Sequence, residues 1–188
     1  MPAIFLSFYK NSKITNKNTS TNNKVRTYRE LVLDPKFLQA MVAATFGYVV
    51  MAFLMTATPI SMHYVHKLSV DKVGLVIQFH VLGMFLPSLF TGNLIKRFGF
   101  SNIMYMGVFF YALTISLSLF EPTFINYFAS LIFLGIGWNF LYISGTSLLV
   151  TTYNEQEKFK AQGFNDLIVF SATAIGSLSA GILISLLS

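Results

Sequence analysis

The sequence contains no cysteine. Disulfides and thiolate metal sites are therefore excluded, and the redox compartment cannot be read from this residue. Charge is also scarce: Lys, Arg, Asp and Glu make up 11% of 188 residues, against about 25% in an ordinary soluble domain. No Asp, Glu, Lys or Arg occurs from Val73 to Ile95, and none from Phe98 to Phe120. Also missing are a phosphate loop, a cluster of metal-ligating residues and a nucleophile–base pair. "GIGWNF" lies inside an apolar run with no strand before it, so it is no dinucleotide fingerprint. The expectation is a protein without cofactor or metal, and not an enzyme.

What is present is apolar. Hydrophobic residues make up 54% of the chain, twenty are Phe, and the mean hydropathy is +0.63. A soluble core of this size cannot bury that much, so the chain is expected to sit in a lipid bilayer. A spanning helix needs roughly 20 apolar residues. Five runs meet this length, at about 37–62, 72–95, 101–120, 123–151 and from about 165 to Ser188. They are too long and too even for barrel strands. The fold class read here is an all-α integral membrane bundle of about five transmembrane helices. Residues 1–36 divide into a short apolar start, Met1 to Phe8, and a polar stretch rich in Asn, Thr, Ser and Lys that reads as a linker. Residues 37–188 are the membrane domain.

The net charge of +6 does not point to nucleic acid, because the cations flank the spans. With the amino terminus inside, 11 of the 13 Lys and Arg fall on the inner side, and only Lys67 and Lys72 fall outside. This asymmetry sets the expected topology: a multi-pass plasma (inner) membrane protein with a cytoplasmic amino terminus. The stretch "GNLIKRFGF", Gly92 to Phe100, then becomes a tight cytoplasmic hairpin between spans two and three.

This hairpin resembles the loop signature of the major facilitator superfamily, roughly G-x-L-x-D-R-x-G-R. Gly92, Leu94, Arg97, Phe98 and Gly99 match it; Lys96 stands where the family often has Asp, and Phe100 where it often has a basic residue. The stretches "DPKFLQAMVAATFGYVVMAFLMTATPISM", "VIQFHVLGMFLPSLFTGNLIKRFG", "GIGWNFLYISGTSLLVTTY" and "KAQGFNDLIVF" together resemble the carboxyl-terminal half of bacterial members of that family. The resemblance implies that the five spans correspond to helices seven to eleven of a twelve-helix secondary transporter. Met1 to Phe8 then matches the end of helix six, and the last helix is absent. It further implies a small-molecule substrate, alternating access, and either a separately encoded amino-terminal half or self-association to complete the pathway. In the signature, which here includes Lys96 and Arg97, the resemblance implies that glycines permit close helix approach and that Arg97 bonds the ends of neighbouring helices.

Polar residues within spans are candidates for the substrate or proton pathway. Gln78 and His80 lie about 10 Å into span two, counted at about 1.5 Å per residue. They point about 200° apart on a helix, so one of them faces a polar cavity and the other a neighbouring helix. His80 is expected at the cavity, since a protonatable group in lipid is the costlier arrangement. Trp138 and Asn139, near the middle of span four, are candidates for a cavity wall. Asp166 opens span five, as a proton carrier or as a cap or salt-bridge partner of Arg97 or Lys160. Pro59 and Pro87 interrupt spans one and two. Gly135, Gly137, Gly145, Gly176 and Gly181 offer small packing faces.

Two other readings compete. A small haem- or quinone-binding membrane subunit would use His63 and His80, but paired axial ligands need matched depth, and His63 lies near the outer surface with His80 deeper. A non-functional gene remnant is the other alternative.

Overall fold

A computed structural model describes residues 25–187. The expected helix end at Met1 to Phe8 and the linker up to Lys24 lie outside the described residues. Among those described, every regular element is helical.

Helix α1, Tyr28–Val32, starts with a reciprocal cap: Thr27 accepts from the Glu30 backbone while the Glu30 side chain accepts from the Thr27 backbone. Helix α2, Pro35–Ile60, is capped by Asp34, whose carboxylate accepts from the Lys36 N–H at 2.9 Å. Pro35 occupies the first turn, where a missing N–H costs nothing. Near its far end Pro59 cannot donate, and the helix widens into a π turn over Ser61–Val65. The remaining helices are α3 (Val70–Phe85), α4 (Ser88–Phe98), α5 (Phe100–Ser118), α6 (Phe124–Val150) and α7 (Lys158–Leu187). Among the described residues, five helical stretches are long and apolar enough to cross a membrane: Pro35–Val65, Val70–Phe98, Phe100–Ser118, Phe124–Val150 and Lys158–Leu186.

Helix α6 is the hub. Half of its most apolar stretch is buried, against 17% for the second and fifth spans. Helices α2, α3 and α5 pack on it, and α7 packs chiefly on α2. Lipid supplies no hydrophobic drive between helices, so close backbone approach must supply the packing energy. The glycines mark those approaches. Gly135 of α6 meets the α3 backbone at His80 and Gly83, and Gly137 meets α5 at Gly107 and Tyr111. Gly145 meets Ala40 and Ala44 of α2, and Gly176 of α7 meets Val49. Gly181 meets nothing within 4 Å among the described residues, so the packing role expected for it is not seen.

One expectation about span two needs correction. The break expected at Pro87 is present: Leu86 and Pro87 divide α3 from α4. The signature residues Gly92, Lys96 and Arg97 do not form a loop: they lie on α4, which runs to Phe98. Gly99 alone makes the turn into α5, with φ +84°, a left-handed value that favours glycine. A side chain at Gly92 would meet no atom within 4 Å, so close helix approach there is not observed among the described residues.

Candidate functional site

The first site residue to place is Asn139. It is fully buried on α6 beside the break in span two. Pro87 has no N–H, so the hydrogen-bond ladder lapses there and polar groups of the adjoining turns need partners from outside. The Asn139 amide donates to the Met84 carbonyl and to the Ser88 hydroxyl. The Thr91 hydroxyl lies 2.6 Å from Asn139 Oδ1 and 2.8 Å from the Pro87 carbonyl oxygen, so its single proton serves one or the other. Asn139 thus ties the interrupted helix to the hub rather than lining a cavity. We expect Asn139→Leu to leave these groups unpaired in a buried setting, at about 1–3 kcal/mol for each group stranded. The check is thermal unfolding of detergent-solubilised protein, with Asn139→Gln or Asn139→Asp as partial rescue. A melting curve unchanged by Asn139→Leu would refute this bracing role.

The expected orientations of His80 and Gln78 are reversed. His80 is 1% exposed and turns into the α3–α6 interface, where Nδ1 lies 2.8 Å from the Leu131 carbonyl oxygen. A carbonyl only accepts, so Nδ1 carries the proton. Nε2 is left as a buried acceptor without a partner among the described residues. Gln78, two residues away, is on the exposed face. The reversal follows from packing: α3 approaches α6 so closely at Gly83 and Gly135 that the face carrying His80 has room only for helix contact.

Asp166 is also corrected. Helix α7 starts at Lys158, eight residues earlier, so Asp166 cannot cap it. Its carboxylate accepts from the Asn165 amide at 3.2 Å. Among the described residues it has no ion pair. Arg97 instead lies over the Phe98 ring at 5.2 Å. Lys160 bonds the Arg26 carbonyl and lies over the Tyr28 ring at 4.5 Å.

Trp138 is the expected residue that the structure joins to others. Its ring stacks on Tyr142, one turn along α6, with centroids 5.0 Å apart and planes 17° from parallel. Tyr48 of α2 stands edge-on to both, at 5.3 Å from Trp138 and 4.8 Å from Tyr142. Phe85 of α3 flanks Trp138, and Phe170 of α7 flanks Tyr48. Four helices contribute to this row and α5 does not, because α5 covers the Gly137 side of the hub. The inner rings are wholly or partly shielded, whereas Phe85 and Phe170 are about 60% exposed. Asp166 and Phe170 are four residues apart on α7 and so share a face. Sequence reading missed Tyr48, Tyr142, Phe85 and Phe170. The available signal was that Tyr48 and Tyr142 lie mid-span, away from the interfacial belts where Tyr usually sits.

A separate cavity of about 160 Å³ lies at the opposite end from Arg26, lined by Leu54, Thr58, Thr114, Ser118, Tyr127 and Ser130 among others. None of the expected site residues reaches it. Among the described residues no group of three or more His, Asp or Glu is placed to hold a metal ion.

The sequence matches the family model described as Major Facilitator Superfamily over residues 17–188. A protein of Brucella anthropi named as the riboflavin transporter RfnT is 38% identical over 184 residues, which is 98% of this chain and 46% of that protein. Two Bacillus subtilis proteins, described as the uncharacterized MFS-type transporters YdeG and YddS, are similar over shorter stretches. YdeG is 36% identical, over 73% of this chain and 32% of its own length; YddS is 35% identical, over 69% and 30%. The chain spans less than half the length of each of these relatives. No solved structure matches it. A family match over most of the chain, five spanning helices and a hub sewn together by glycine contacts lead to one conclusion: this multi-pass helical membrane protein belongs to the Major Facilitator Superfamily.

Proposed function

We propose that residues 37–188 form the carboxyl-terminal side of a secondary transporter that carries a small organic molecule across the plasma membrane by alternating access. The observation that carries this reading is the row of rings from Phe85 to Phe170. It lies on the face of α6 that α5 leaves uncovered, and it is built from the four other spans. A second, facing set of helices would close this face into a pathway. Trp138, exposed Asp166 on α7 and exposed Gln78 on α3 remain assigned to the pathway; His80 and Asn139 act by positioning α3. Lys96 and Arg97, exposed at the end of α4, would engage that second set of helices and bias which side is open.

The name of the Brucella relative makes riboflavin the first substrate to try. The test is a chimera in which this chain replaces the matched stretch of the Brucella protein. Riboflavin uptake by cells carrying the chimera supports the reading, and so does its loss with Tyr142→Leu. A chimera that reaches the membrane intact but moves no riboflavin counts against riboflavin. If it also moves no other substrate of the parent, the shared-pathway reading fails.

The orientation proposed is amino terminus inside. The lack of cysteine gives a clean background for single-cysteine labelling. A cysteine at Ser12 or Lys96 is expected to react only with reagent admitted to the cytoplasm, and one at Glu121 with impermeant reagent outside. The opposite pattern would overturn the topology.

A further inference from the structure

We infer that the ring row is a stacking platform for a flat, uncharged heteroaromatic ligand that presents a ring N–H to Asp166. The inference rests on the proposed transport reading but concerns how a ligand is recognised, not whether it is moved. Trp138 and Tyr142 lie face to face, so they form a stack that one more planar ring extends. A cage for an organic cation needs several ring faces converging on one point. Here Tyr48 instead stands across the edges of the stacked pair.

Two polar features accompany the rings. The Trp138 indole N–H is buried, in a residue only 5% exposed, and has no partner among the described residues. A buried donor of this kind is normally paired, and a ring-edge acceptor on a bound ligand is the kind of group that would pair it. Asp166 is exposed, lies one helical turn from Phe170, and holds only the adjacent Asn165 amide. A carboxylate accepts and never donates, so it suits an imide or amino N–H. No Lys or Arg occurs from Phe37 to Met62, from Val73 to Ile95, or from Phe124 to Thr151, so the spans that carry the other rings bring no fixed positive charge for an anionic ligand.

The chain has one tryptophan, and it is Trp138. Its fluorescence therefore reports on this site alone. The experiment titrates the full chain, purified in lipid nanodiscs, with lumichrome, a neutral tricyclic ring that carries an imide N–H. Saturable quenching is expected. Tyr142→Leu should weaken it about tenfold or more, given the usual worth of an aromatic stack. Phe170→Leu, on an exposed side chain, and Asp166→Asn should each weaken it severalfold, and both are expected to fold. Phe109→Leu, an exposed ring on α5 outside the row, should leave it unchanged. Non-saturable quenching, or affinity unchanged from the parent chain in both Tyr142→Leu and Phe170→Leu, would overturn the inference. So would tighter binding of tetraethylammonium than of lumichrome, which would make the site a cation cage. The two readings fail separately. Lumichrome binding with an inactive chimera removes the transport reading and leaves the platform. An active chimera whose matched stretch does not bind lumichrome does the reverse.

Discussion

Gly135→Ala is expected to separate α3 from α6. A methyl group at this position would lie 2.5 Å from the His80 carbonyl oxygen, 2.9 Å from the Met84 nitrogen and 3.0 Å from the Gly83 carbonyl carbon. All three are backbone atoms, so no side chain can swing aside. The helices must move apart, which breaks the His80 bond to Leu131 and strains the Asn139 contacts one turn away. Overpacking against movable side chains costs about 1–3 kcal/mol; here the cost should sit at or above the top of that range. The expected result is a lower unfolding temperature and a loss of the single monodisperse peak on size-exclusion chromatography. Gly181→Ala serves as the control, because its methyl meets nothing within 4 Å and alanine is the better helix former by about 1 kcal/mol. If Gly135→Ala were as stable as Gly181→Ala, close backbone contact would not be what holds α3 to the hub.

Most of the architecture was legible in the sequence, because bilayer thickness fixes helix length and charge avoids the spans. The run without charge from Val73 to Ile95 gave the second span, and Glu121 with Pro122 marked the turn before α6. What composition could not show was how far a helix runs past the membrane. The stretch around Lys96 and Arg97 looked like a loop because it is polar. Yet polar residues are as helical as apolar ones outside lipid, and only the left-handed backbone at Gly99 ends α4. Proline was read correctly as an interruption, but its consequence was not. The groups freed at Pro87 needed a partner on another helix, and that partner is Asn139, 52 positions away.

The candidate site was less legible, for a related reason. Hydropathy tells which residues lie in a span but not which face of the helix they occupy. His80 and Gln78 were correctly separated by helical geometry and then assigned to the wrong faces, because the deciding contact is between Gly83 and Gly135 on different helices. Trp138 was picked out as an unusual mid-span tryptophan. The rest of the row was not, since Tyr48, Phe85 and Phe170 come from three other helices.

The least legible feature is the pairing of Arg26 with Glu157, 131 residues apart, and its disruption is expected to have a large effect on stability. Arg26 lies in what reads as a polar linker. Its backbone N–H donates to Glu157 Oε1 at 2.8 Å, its Nε lies 3.0 Å from the same oxygen, and Nη2 lies 2.8 Å from Oε2. Nη2 also donates to the Thr152 carbonyl, and Nη1 pairs with Asp34 at 3.2 Å. The Glu157 side chain is only 3% exposed. Helix α7 has α2 as its main neighbour, so this cluster holds the start of α7 to the start of α2. Arg26→Ala takes the cation away from the shielded Glu157 carboxylate and leaves it only the backbone N–H groups of residue 26 and Asn154; removing one partner of a buried ion pair typically costs about 3–5 kcal/mol. Glu157→Gln should cost less, since it removes the buried charge itself. Replacing both by Met should recover part of the loss.

The pH dependence separates these causes. Hydrogen bonds from Arg26 hold the Glu157 carboxyl at about 2, below its ordinary value of 4.5. A depressed carboxyl stabilises the fold above its unfolded value, and the contribution disappears as pH falls from about 4.5 towards about 2. The intact protein should therefore lose stability across that window. In Arg26→Ala the dependence should flatten: burial favours the neutral acid, and only the backbone N–H groups of residue 26 and Asn154 still favour the carboxylate, so much less stability should be lost on acidification. Unfolding of both proteins in detergent, measured by circular dichroism between pH 3 and pH 7, tests this directly. Parallel curves for the two would mean that Arg26 does not set the Glu157 proton affinity, and the clasp between α2 and α7 would have to be sought in the apolar contacts of Phe37 with Phe164 instead.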